Sequence, residues 1–258
     1  MAIIKSEAIV LKYSDYRDKS KLVTLFTRSH CKIRCIAKGV RDTKSKWGGV
    51  LQSMAYLNVI FYYKENRTLH LLSSAEYLRI FKSIYDDHEK LKIGFRMLEL
   101  IDKTTMEGHE NPDLFSILIE SLTNLDNATK NYVNLLFNFE FKTAKALGFD
   151  MNFDPLMCGD ITKPQKYIEN KLQNKYYFDS EYGTPSKIKD SVLNDKSTHF
   201  LKLDSNTLST LYSGNFDEII GLNISKAEEL SVENFINNHF KNHFENIDFS
   251  RIKRIIYR

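Results

Sequence analysis

The side chains in this chain best placed to do chemistry are cations. Residues 31–46 read CKIRCIAKGVRDTKSK. Small or apolar Cys31, Ile33, Cys35 and Ala37 alternate with Lys32, Arg34 and Lys38, and a turn-like stretch then adds Arg41, Lys44 and Lys46. A period of two marks a half-buried strand, so Lys32, Arg34 and Lys38 are predicted to point outward. The whole chain holds 37 Lys and Arg against 33 Asp and Glu, of which seven and one fall within 28–46. Elsewhere 30 cations face 32 acids, so the net charge of +4 is a local excess, as expected of a polyanion site. Cations neutralise phosphates, and exposed rings stack on unpaired bases. Tyr56, Phe61, Tyr62 and Tyr63 follow on a later strand, where the same period allows only one parity to face outward; the sequence leaves open which. It also leaves open the plainer reading, a solvated basic strand.

Other chemistry is poorly represented. Neither GxGxxG nor GxxxxGK followed by Ser or Thr is present, so neither common phosphate-cradling loop is encoded. There is no HExxH and no dense carboxylate cluster, which reads against an enzyme and against a bound cofactor. Cys31 and Cys35 are four residues apart, about 13 Å along a strand. Disulfide Cα atoms lie within about 7 Å, and zinc ligands converge on one ion, so these two are predicted to be inward core residues. His239 and His243 share a helical face, but no further ligands lie nearby, and no metal site is expected. Three cysteines, an odd number, fit a reducing cytoplasm. The first residues, MAIIKSEAIVLKYSDY, have only short apolar runs and read against a secretion signal. No run approaches the roughly 18 apolar residues of a membrane helix.

The elements that must position the cations divide the chain in two. Over 1–80, Ile3–Leu11, Leu22–Thr27, Cys31–Lys38, Leu51–Tyr63 and Thr68–Leu78 are rich in β-branched and aromatic residues and are predicted strands. Five short strands in so small a module predict a closed barrel, with the OB-fold the commonest choice. From about 84 the period becomes helical. Asp86, Asp87 and Glu89 open a helix with Leu91, Phe95 and Leu98 as its buried stripe. Asn111-Pro112 starts a second helix. A third spans about 128–147 and stops at Gly148. Helix returns near 204–213 and again from Ser225, where Ser225 and Glu228 form a capping box, with Leu230, Ile236, Phe240 and Phe244 as core candidates. The class is therefore α+β: a barrel over 1–80 and a helical domain over 81–258, with an irregular stretch at 150–190.

Several segments together resemble the RecO family of bacterial recombination mediators. They are Ala8-Ile9-Val10-Leu11, Leu22-Val23-Thr24-Leu25-Phe26-Thr27, Ala37-Lys38-Gly39-Val40-Arg41 with Lys44-Ser45, and Leu51-Gln52. Glu99-Leu100, Asn111-Pro112-Asp113-Leu114-Phe115, Leu147-Gly148-Phe149, His239 and Phe249-Ser250-Arg251 follow in the family's order. The resemblance implies a non-catalytic, cytoplasmic, nucleoid-associated protein that binds single- and double-stranded DNA and anneals complementary strands. It further implies action with RecR to place recombinase on DNA coated by single-strand binding protein, whose C-terminal tail docks on the helical domain. Lys32, Arg34, Lys38, Arg41, Lys44 and Lys46 are the expected DNA contacts. Arg251, Arg254 and Arg258, at i, i+3, i+7, form a secondary candidate. Many members carry a four-cysteine zinc site after the LGF segment; here Cys158 alone matches, so 150–190 is expected to be degenerate and zinc-free. An RNA- or tRNA-binding barrel and a pure protein-interaction scaffold are the competing expectations.

Overall fold

The computed structural model describes residues 2–42, 45, 49–151, 175–179 and 200–244. Strands β1 (Ala2–Tyr16), β2 (Ser20–Thr27), β3 (Cys31–Ala37), β4 (Tyr56–Tyr63) and β5 (His70–Arg79) close into a barrel in the order β1-β2-β3-β5-β4. Every pairing is antiparallel except β3 with β5, which run parallel. This is the five-stranded OB arrangement expected over 1–80. Val10, Val23, Leu25, Ile33, Cys35, Leu57, Val59, Phe61 and Leu72 fill its core.

The strand ends differ from expectation. β1 runs on past Leu11 to Tyr16, because Lys12 to Tyr16 find partners in Thr24 to Ser20 after a register shift between Val10 and Lys12. β4 begins only at Tyr56. Residues 51–55 form a buried turn, with Met54 at φ 66° and mutual backbone hydrogen bonds tying Met54 and Ala55 to Val10.

Helices α1 (Lys82–Asp86), α2 (His88–Thr104) and α3 (Pro112–Asn127) follow. Asp87 caps α2 by accepting from the amides of Glu89 and Lys90. Asn111 caps α3 through its side-chain oxygen and the Leu114 amide. α3 lays Phe115 on Phe26 and Tyr56, with ring centroids 5.7 and 6.4 Å apart. Its Asp126 accepts from Arg79 and from the Ser83 amide. The compact units accordingly divide after Asp126: Met1–Asp126 holds the barrel with α1–α3, and Asn127–Arg258 holds the rest.

In that second unit, α4 (Tyr132–Ala146) ends in a Schellman motif. Gly148, at φ 84°, donates to Lys145, and Phe149 donates back to Ala144. β6 (Lys175–Asp179), inside the 150–190 stretch expected to be irregular, pairs with β7 (Phe200–Asp204). α5 (Ser205–Ser213), α6 (Phe216–Gly221) and α7 (Lys226–His243) complete it. The predicted Ser225–Glu228 capping box is present.

Of the expected core residues of α2 and α7, Leu98, Ile236 and Phe240 are buried and Leu91 and Phe244 half-buried, but Phe95 is 46% and Leu230 50% exposed. α2 also buries Ile93, Met97, Leu100 and Ile101, and α7 Val232 and Phe235. Two helical positions differ by about 200°, so Phe95 lies opposite Ile93 and Met97, and Leu230 opposite Val232. Cys31 and Cys35 are both buried in the barrel, as their spacing predicts, and burial pushes the Cys35 thiol up to about 12.

Candidate nucleic-acid interface

The outward parity of β3 carries Lys32, Arg34 and Ile36, and Lys38 follows just beyond the strand. They meet different fates. The end of α2 lies against this face, and Lys32 donates to the Asp102 backbone carbonyl, with its ammonium 3.5 Å from the Asp102 carboxylate. Lys12 engages the same carboxylate. The Lys32 side chain is only 16% exposed, so the expectation that it points freely to solvent is corrected. Arg34 is half exposed but donates to Glu107 at 2.7 Å, and Glu107 also bridges the backbone at Cys31 and Lys32.

Arg41 is pinned to the β1–β2 turn. Its guanidinium lies 3.2 Å from Asp15 and donates to the carbonyls of Arg17 and Asp18, while its amide donates to Lys19. The turn makes this possible by placing Arg17 at φ 51°. Exposed pairs of this kind are worth about 0–1 kcal/mol, so a phosphate can compete for Arg34 and Arg41. Lys38 is exposed and has no side-chain partner among the described residues. Lys44, Lys46, Arg251, Arg254 and Arg258 lie outside the described residues.

Sequence reasoning missed Lys64 and Arg67. They sit on the β4–β5 loop and, with Lys38, Ile36, Tyr62 and Leu71, line a hollow of about 600 Å³ on the barrel's outer surface. Among the described residues none of its lining side chains is acidic. The available signal was topological: the β1–β2 and β4–β5 loops flank the binding face of an OB barrel. The register also settles the aromatic parity. Phe61 is fully buried, and Tyr63 packs between His30 and His70 at 4.7 Å from each ring. Tyr56 is bound to Glu7 and covered by Phe115. Tyr62 alone of the four lines the hollow. Beneath it His70 is 7% exposed, and burial lowers its pKa against the opposing pull of Glu107.

A family model described as "Recombination protein O N terminal" matches residues 1–81, and "Recombination protein O C terminal" matches 85–251. The chain belongs to the RecO family. It is similar to the DNA repair protein RecO of Salinibacter ruber, 31% identical over 188 residues that cover 73% of this chain and 71% of that one. It is also similar to RecO of Clostridium perfringens, 27% identical over 239 residues and 92% of each chain. RecO of Bacillus pumilus is 34% identical over 158 residues, 61% of this chain and 60% of the relative. RecO proteins are recombination mediators of DNA repair and generally non-catalytic, and the α+β architecture above is the one expected of this family. Among the described residues no helix is long and apolar enough to cross a membrane.

Proposed function

We propose that this RecO-family chain binds single- and double-stranded DNA irrespective of sequence and anneals complementary strands. With RecR it helps load recombinase onto DNA coated by single-strand binding protein, whose acidic tail docks on the helical region. The observation that carries the DNA-binding reading is Lys38, exposed and without a side-chain partner among the described residues, in the same hollow as Lys64 and Arg67 on the outer face of an OB barrel. Arg41, Lys44 and Lys46, which follow Lys38 in sequence, are further proposed contacts, with Arg251, Arg254 and Arg258 as a second set. Lys32 and Arg34 contribute only where a phosphate displaces Asp102 and Glu107.

The physics of annealing needs no active site. Cations that screen two backbones let complementary strands approach, and base pairing supplies the rest. Phosphate contacts position a strand without reading it, so binding is tolerant of sequence. Zinc has no place in this account. A four-cysteine site needs four thiolates, and two of the chain's three cysteines, Cys31 and Cys35, are buried in the barrel. Protein purified without added metal is expected to hold no stoichiometric zinc.

The test is fluorescence annealing of complementary oligonucleotides, with and without single-strand binding protein, using wild type and a Lys38→Glu, Arg41→Glu double variant. Wild type accelerates annealing and the variant does not. Equal rates would move the site elsewhere. Competition by RNA of the same sequence, as effective as DNA, would favour an RNA-binding role instead.

A further inference from the structure

Resting on the DNA-binding reading above, we propose that an apolar belt centred on Tyr62 holds an unpaired base, with phosphates of the same strand on Lys38 at one end and on Lys64 and Arg67 at the other. The barrel thereby takes single strands in preference to duplex.

The belt follows from the register. Leu22 pairs with Ile36, Ile36 with Leu71, Leu71 with Tyr62 and Tyr62 with Ile3. Their strand neighbours Val23, Cys35, Ala37, Phe61 and Leu72 point into the core, so these five residues form one outward row crossing all five strands. A barrel gains nothing in its own core from such a row. Phe26, on the same outward parity of β2, is buried beneath Phe115 of α3. Among the described residues the belt has no such cover: Ile3 is 69% exposed, Leu22, Ile36, Tyr62 and Leu71 are half-buried, and Ile36, Tyr62 and Leu71 line the open hollow.

Charge flanks the belt on both sides, for a topological reason. β3 runs parallel to β5 and β4 runs antiparallel to it. Two residues past Ile36 and two residues past Tyr62 therefore lie at opposite ends of the hollow. Lys38 takes the first position, and Lys64, with Arg67 from the same loop, takes the second. Glu65 shares that loop but does not line the hollow, so the facing charge is positive at both ends. An apolar floor bearing Tyr62, with cations before and after it, matches one nucleotide of an extended strand. In a duplex the base faces are stacked on one another and cannot reach the floor, so only the cations would act on it. A peptide's apolar segment would use the floor as well, but cations without side-chain partners at both ends and no lining acid, among the described residues, favour a polyanion.

The experiment measures binding of a fluorescent single strand and of a duplex of equal length by anisotropy. It uses wild type, Tyr62→Ala, Tyr62→Phe and a Lys38→Gln, Lys64→Gln, Arg67→Gln variant. Tyr62→Ala is expected to weaken single-strand binding about 5- to 150-fold, the worth of one stacked base, and to leave duplex binding within about twofold. Tyr62→Phe, which keeps the ring and the packing, binds both as wild type does. A strand of abasic sugar-phosphate units should bind wild type and Tyr62→Ala equally, which tests the base contact without relying on the fold of the alanine variant. The proposal is overturned if Tyr62→Ala weakens both nucleic acids alike, or neither, or if the abasic strand binds wild type as tightly as the normal one. The triple glutamine variant separates this from the broader reading. If it binds both nucleic acids as wild type does, the cationic interface itself is wrong.

Discussion

Whether a cation touches DNA is decided by what already holds it, and salt dependence reads this residue by residue. Each phosphate contact on a single strand contributes about −0.7 to the slope of log K against log salt. Lys38, Lys64 and Arg67 have no side-chain partners among the described residues, so together they account for about −2 of the slope. Lys32 is bound by the Asp102 carbonyl and carboxylate and is mostly buried, so it accounts for none. Replacing the three by Gln should therefore lower the measured slope by about 2. Between 50 and 200 mM salt, the variant's affinity should change about 16-fold less than wild type's. Lys32→Gln should leave the slope unchanged while lowering stability, since it strips Asp102 of a partner. The assay is anisotropy with a labelled poly-thymidine strand from 50 to 400 mM KCl. A Lys32→Gln slope reduced by about 0.7, or a triple variant with the wild-type slope, would refute the division into held and free cations.

The same reasoning makes Glu107→Gln a gain-of-binding variant. It frees Arg34 and removes a negative charge beside β3, so low-salt DNA affinity should rise about two- to fivefold in a filter-binding or anisotropy titration. Asp126→Ala should destabilise the first unit by about 2–3 kcal/mol in chemical denaturation, because it leaves Arg79 without its carboxylate and the Ser83 amide unsatisfied. The second unit should weaken in acid. His239 is 3% exposed, its Nε2 lies 2.7 Å from the Phe149 carbonyl, and its Nδ1 is buried without a hydrogen-bond partner among the described residues. Burial lowers its pKa most, with His243 adding and the Phe149 bond and Asp150 opposing. A lowered folded pKa means that stability is full above the unfolded value near 6.5 and falls as pH drops from there towards the folded value. Denaturation at pH 7.5 and 5.5 should show this loss, and His239→Gln should shrink it.

Local patterns made the strands and helix ends legible. Alternation in CKIRCIA identified β3 and its inward cysteines, and Asp87, Asn111, Gly148 and Ser225 marked helix termini because a cap is decided by neighbours in sequence. What the sequence withheld is long-range. Asp102 lies 70 residues from Lys32, and nothing near Lys32 says that α2 ends over it. Lys64 and Arg67 look like ordinary loop cations until the parallel β3–β5 pairing brings their loop beside Ile36. Phe95 and Leu230 are apolar residues at a plausible spacing, and only the packed face of each helix shows that they lie outside the stripe to which Leu98, Ile236 and Phe240 belong. The aromatic parity was undecided because alternation gives two faces and not which one is inside.

The barrel is closed by a short seam. β3 and β5 share three register positions, Cys35 to Ala37 against His70 to Leu72, whereas β1 and β4 share eight. Breathing of the ring should therefore begin there, and amide protons along Ile36 and Leu71 should exchange sooner than those on the longer pairings. Ile36 and Leu71 also floor the hollow. Anything lying across that floor staples the ring at its weakest stitch, so occupancy at the surface would be felt as rigidity throughout the barrel.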